Sequence, residues 1–147
     1  MKEIEITGLK GEFDLCLYDN AGKLKDSRHI KNMTVTAGFA ILCAMMGGAG
    51  GTAFTYCAIG TGIVAPALGD TTLNAEATRV AGGYTKTADT VWKNDATFGA
   101  AVGTGAITEA GLFNATSGPT MLCRQTFPVI NKGASDTLIV TWQYTLS

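Results

Sequence analysis

From Asn32 to Gly69 the chain carries no charged side chain, a run of 38 residues in a protein of 147. Soluble surfaces normally interleave both signs of charge. A run this long is therefore expected to be largely buried, inside the fold or against a partner. The contrast with the preceding segment is sharp. Residues 1–31 hold six acidic and six basic side chains, more than half of the 11 basic and 12 acidic residues present. Two ways of burying the run are excluded by length. A bilayer span needs roughly 20 apolar residues, and the longest apolar stretch, AGFAILCAMM (37–46), has ten and runs into GGAGG. The opening MKEIEITG is charged where a secretory signal needs an apolar core. The sequence predicts a single soluble domain over residues 1–147, made in a cytoplasm.

Short apolar segments separated by glycine-rich turns point to a mainly β fold, an antiparallel sandwich or jelly-roll-like arrangement. EFDLCLY (12–18) alternates, with Phe13, Leu15 and Leu17 on one face. DNAG supplies turn chemistry, and KLKDSRHIK (23–31) returns as the second strand of a hairpin. The clearest period of two is C-terminal, where Leu138, Val140, Trp142, Tyr144 and Leu146 share a face. TVWKNDATF (90–98), GAITEAGLF (105–113), TMLCRQTF (120–127) and AFTYCAIG (53–60) read as further strands. One segment breaks the pattern. In TAGFAILCAMMGG, Phe39, Leu42, Cys43 and Met46 fall at i, i+3, i+4 and i+7, while Ile41 and Met45 add a second apolar face. This predicts one short buried helix over 36–46, capped by Thr36 and stopped by Gly47.

The candidate chemistry is thin. The G-T-G of Gly60–Gly62 follows a strand, but Ala65 stands where a dinucleotide fingerprint needs its third glycine, and Pro66 breaks the helix that should follow. No G-K-[ST] occurs. His29 is the sole histidine, and Cys16, Cys43, Cys57 and Cys123 include no C-x-x-C pair, so zinc is not expected. The cysteines are expected to be buried free thiols. Asp70, Glu76, Asp89, Asp95 and Glu109 are scattered singly. Glu76 and Arg79 are expected to form a structural ion pair on a short helix starting near Asp70. Glu109, among apolar neighbours in ITEAGLF, needs partners if it is buried. These residues imply no enzyme, no cofactor and no metal. With a net charge of −1, the sequence also lacks a nucleic-acid footprint.

Four segments in fixed order carry a resemblance. They are NMTVTAG (32–38), AIGTG…AP…GDTTL…E…R (58–79), GAITEAGLFNATSGPTML (105–122) and FPVINKGASDTLIVTW (127–142). Their order resembles small virion structural proteins of tailed bacteriophages, several of which end on a G-D-T-L-x-V-T-Y/W strand; Ser135 replaces the glycine here. Tail-collar fibre proteins show a related order. The resemblance implies a non-enzymatic component of the virion, assembled in the host cytoplasm. Its partners would be the major capsid protein or other virion proteins and copies of itself, with neither nucleic acid nor membrane. Because no repetitive shaft follows the last strand, capsid decoration or cementing is the first expectation. A tail, baseplate or fibre-adaptor role is the alternative. A carbohydrate-binding β-domain is a second alternative, with Trp92 as its aromatic platform.

One helix cannot hide the whole uncharged run. Its two loops, around Gly48, Ala49 and Gly50 and around Gly62, Ile63, Val64 and Pro66, are therefore expected to lie against another chain. Interface cores are depleted of charge, and glycine permits close approach. The charged hairpin 12–31 is expected to face solvent.

Overall fold

The computed structural model describes residues 8–147. The charges of residues 2–5 lie outside that span. Ten strands and one helix follow in order: β1 Leu9–Tyr18, β2 Leu24–Lys31, β3 Met33–Thr34, α1 Thr36–Met46, β4 Tyr56–Gly60, β5 Glu76–Ala81, β6 Gly83–Ala88, β7 Val91–Phe98, β8 Gly105–Phe113, β9 Met121–Lys132 and β10 Thr137–Leu146. They form two antiparallel five-stranded sheets, ordered β2-β1-β10-β7-β6 and β3-β9-β8-β4-β5. The expected mainly β sandwich with a single short helix is what the chain forms.

The core lies between the sheets. Phe13, Leu15 and Leu17 of β1 and Leu138, Val140, Trp142 and Tyr144 of β10 enter it from one side; Ile59, Ile107, Leu112 and Ile130 enter from the other. The β1–β10 register places Phe13 opposite Trp142 and Leu15 opposite Val140. The Phe13 and Trp142 rings lie 4.3 Å apart between centroids. Trp142 donates its indole N–H to Cys57 Sγ at 3.1 Å, so its one polar atom is satisfied in the core.

The β8–β9 pairing shifts register between Ile107 and Glu109, where residues 127–129 of β9 stand against Thr108 alone. Such an irregularity disrupts the ladder and re-aims the side chains beyond it. Ile107, Ala110 and Leu112 therefore all reach the central core despite their mixed parity. Glu109, Gly111 and Phe113 turn to the outer face of the second sheet. That face is covered as well. Val35, Ala58, Leu73, Phe113 and Met121 make a second, smaller apolar cluster there, beneath the start of α1 and the segment 61–75. Part of the uncharged run is thus a lid on the second sheet.

Three expectations are corrected. First, α1 is not a buried helix. Gly38 is its one buried residue, because Leu122 backbone lies where a side chain at that position would go. Phe39 is 45% exposed and Met46 79%. Phe39, Cys43, Met45 and Met46 have no covering layer, while Ile41 and Leu42 pack against the core. Second, Thr36 is the first helical residue rather than the cap; Val35 occupies the cap position without a side-chain bond. Gly47 does close the helix, its N–H meeting Cys43 O at 3.0 Å. Third, no helix begins near Asp70. Residues 70–75 are irregular, with bends at 72, 74 and 75, and Glu76 opens β5. The apolar content of the run also misled on burial: more than half of residues 32–69 are exposed. Glycine and alanine account for much of this, since they remove charge without supplying a core.

Candidate docking surface over the Glu109–Arg124 pair

Glu109 is fully buried, and its carboxylate is the anchor of the segment above it. Oε1 accepts N–H bonds from Gly62 at 3.0 Å and Ala75 at 2.6 Å. Oε2 accepts from Asn74 N–H at 2.9 Å and from the Arg124 guanidinium at 3.0 Å. Arg124 stands beside it because Gly111 pairs with Arg124 across β8 and β9, so both side chains share the outer face. The same guanidinium reaches Asp70 Oδ2 at 2.6 Å and Val64 O at 2.9 Å. Asp70 also accepts the Ala67 N–H at 2.9 Å. Burial pushes the Asp70 carboxyl up, but the Ala67 N–H and the Arg124 charge outweigh it and hold the group below its ordinary value.

This network explains the G-T-G. Side chains at Gly60 and Gly62 would run into the Glu109 carboxylate. The glycine loop does cradle an anion, and the anion is the protein's own. Gly60, Gly62, Asp70 and Glu109 come from two of the segments that carry the phage resemblance, and they converge on this one cluster. Glu76 and Arg79, from the same motif, meet nearby as the expected ion pair, at 2.8 Å and on a strand rather than a helix. Arg79 further stacks its guanidinium 3.6 Å above the Phe113 ring. It also donates to Ala115 O and Gly118 O at 2.8 and 3.3 Å, fixing the turn after β8.

What the network presents outward is apolar. Ile63 is 80% exposed, Val64 57% and Leu68 59%. Pro66 is half-buried. Gly62, expected at the interface, is buried and its N–H is committed to Glu109; that assignment is corrected to a structural one. Gly48, Ala49 and Gly50 are exposed, but at the other end of α1. Thr36 N–H binds Leu68 O at 2.9 Å at the helix start, and the glycine turn follows the helix end. An 11-residue helix separates the two loops by about 16 Å. The loops are thus joined through α1, whose exposed Phe39, Met45 and Met46 were missed as surface residues. Phe54, at the end of the first loop, belongs to the core.

Trp92, the expected aromatic platform, is half-buried rather than exposed, and stacks with Tyr84 at 6.4 Å and with Tyr144 at 5.4 Å between centroids. The remaining groove beside it is lined by Leu42, Met45, Phe54, Tyr84, Trp92 and Asn94 and is nearly all apolar. At the other edge of the same sheet, His29 bridges Asp14 at 2.6 Å and Glu12 at 3.1 Å on an exposed face. Asp14 in the first place, and Glu12 with it, raise the His29 pKa above its ordinary value despite the small opposing effect of burial. No group of three metal-ligating side chains is found among the described residues, and no helix there is long and apolar enough to cross a membrane.

Compared with protein-family models, with curated proteins and with solved structures, the chain matches none.

Proposed function

We propose that this protein is a non-enzymatic structural component of a tailed-phage particle, most economically a decoration or cement protein seated on the capsid shell. The observation that carries the reading is the pairing of Ile63, Val64 and Leu68, exposed within six residues, with a buried ionic network that holds them in place. An apolar loop that is merely flexible would pay an ordering cost on docking. One that is pinned by a network of seven hydrogen bonds, two of them ion pairs, is pre-organised. The order of the four phage-like segments supports the particle as the site of action, and their shared residues build this network. The charged hairpin β1–β2 supports the orientation: its outer face carries Glu12, Asp14 and His29 and suits solvent. A role in the tail or baseplate uses the same surface with a different partner.

The test is stoichiometry. Purified particles of the phage that encodes the chain are separated, and the protein is quantified against the major shell subunit. A copy number comparable to the shell subunit supports decoration. A copy number matching tail components moves the protein to the tail. Absence from particles ends the proposal.

A further inference from the structure

The strand β6, Gly83–Ala88, is exposed along its whole length, on both faces. It is the outer strand of its sheet, paired to β7 on one side and to nothing among the described residues on the other. An edge strand displays unpaired N–H and C=O groups and templates a further strand unless something blunts it. The remaining edges are blunted. β2 carries Lys25, Asp26, Arg28 and Lys31. β3 has two residues. The rest of the β9 edge contains Pro128, and Arg28 donates to Pro128 O and Val129 O at 2.7 and 3.3 Å. β5 carries the Glu76–Arg79 pair and a bulge at Ala77; β6 has a bulge only at its end, at Thr87. β6, GYTKTA, has no proline and one charge, on Lys86.

We infer that β6 pairs antiparallel with β6 of a second copy, joining two five-stranded sheets into one. The occupant follows from register. Residues opposed in an antiparallel pair point to the same face, so a two-fold pairing must centre on a residue, not between two. Centring on Lys86 opposes two ammonium groups. Centring on Tyr84 leaves Lys86 opposite Gly82, outside the strand. Centring on Thr85 opposes Thr85 with Thr85 and places Tyr84 of each copy across from Lys86 of the other. Both side chains are exposed, Tyr84 by 65% and Lys86 by 56%, and the Lys86–Asp89 pair at 2.8 Å that Lys86 now makes is a solvated surface contact worth little. They share a face, since their β7 partners are Asn94 and Trp92. A cation beside an aromatic ring is attractive, so the strand complements itself. The proposal stands apart from the virion reading, because it requires only a second copy.

The test is disulfide trapping in protein whose Cys16 and Cys43 have been replaced by serine. Opposed strand residues have Cα atoms about 4.5–5.5 Å apart, within disulfide range. Under mild oxidation of concentrated protein, Thr85→Cys is expected to give a covalent dimer. A mixture of Tyr84→Cys and Lys86→Cys is expected to give the heterodimer as its dominant product, while each alone stays largely monomeric. Ser27→Cys, on the blunted β2 edge, should remain monomeric. No Thr85→Cys dimer, equal trapping through Ser27→Cys, or homodimers of Tyr84→Cys outnumbering the heterodimer would each overturn the inference. The last result would instead indicate a different register or random collision.

Discussion

The Glu109 carboxylate and the Arg124 guanidinium meet at 3.0 Å with side chains 0% and 2% exposed. Neither charge has water to fall back on. Removing Arg124 leaves Glu109 without a counter-charge; removing Glu109 leaves Arg124 with Asp70 alone and strips three backbone N–H groups of their acceptor. Breaking a buried ion pair this way costs about 3–5 kcal/mol. Glu109→Ala is expected to lower the melting temperature by roughly 10 °C. Hydrogen exchange separates this from a general loss of stability. The amides of Gly62, Asn74 and Ala75 should lose protection under conditions where those of β10 keep it.

Gly62 of the G-T-G and Gly69 give a contrast within one loop. A methyl group at Gly62 meets the Glu109 carboxylate and the Asn74 side chain, whereas one at Gly69 meets open space. Gly62→Ala is expected to cost about 1–3 kcal/mol. Gly69→Ala should lie within about 0.5 kcal/mol of the parent. Urea midpoints at constant slope measure both.

Asp70 and His29 act on the pH dependence in opposite senses, with Asp26 and Asp136 lowered in the same direction as Asp70. Asp70 is held below its ordinary value in the fold. Its contribution is present above the unfolded value of about 3.9 and is lost as pH falls through the folded value. His29 is raised. Its contribution is present below about 6.5 and is lost as pH rises through the folded value. Asp70→Asn should flatten the acid limb of a stability–pH curve. His29→Ala should leave that limb alone and remove a shallow decline that begins above about pH 6.5.

The hairpin β1–β2 and the strand β10 were legible in the sequence because each has one solvated face, which imposes the period of two. β8 and β9 were harder. Their outer face is covered by residues 61–75 and α1, so GAITEAGLF and TMLCRQTF read as nearly continuous apolar runs. β5 and β6 were not foreseen: EATRVA and GYTKTA have little to bury, and β6 is open on both faces. For α1 the spacing of Phe39, Leu42, Cys43 and Met46 gave the helix, but apolar character on two sides gave no indication that only one side meets the sheet. Of the site, the exposed loop was legible from the absence of charge. The role of Gly62 was not, because Glu109 lies 47 residues away and reaches it only across the sheet.

All four cysteines are free, and their environments differ. Burial pushes the Cys57 and Cys123 thiols up to about 12. Only thiolates react, so neither should be modified in the native protein at pH 8. Cys43 is exposed, contrary to the expectation of four buried thiols. A thiol reagent should label Cys43 at once, Cys16 more slowly, and Cys57 and Cys123 only after unfolding. Peptide mapping of the labelled protein reads this order directly.

The central claim is that the apolar loop over Glu109 and Arg124 is the surface that docks. The most direct measurement is incorporation into particles of Val64→Lys, compared with Lys23→Glu on the charged hairpin and with the parent chain. Val64 is 57% exposed, so the free protein should fold and melt as the parent does. Burying an unpaired charge in the complex costs several kcal/mol, which corresponds to a loss of binding of roughly 100-fold or more. The account predicts that Val64→Lys is depleted from particles while Lys23→Glu incorporates as the parent. Normal incorporation of Val64→Lys together with loss of Lys23→Glu would contradict it and place the docking surface on the opposite sheet.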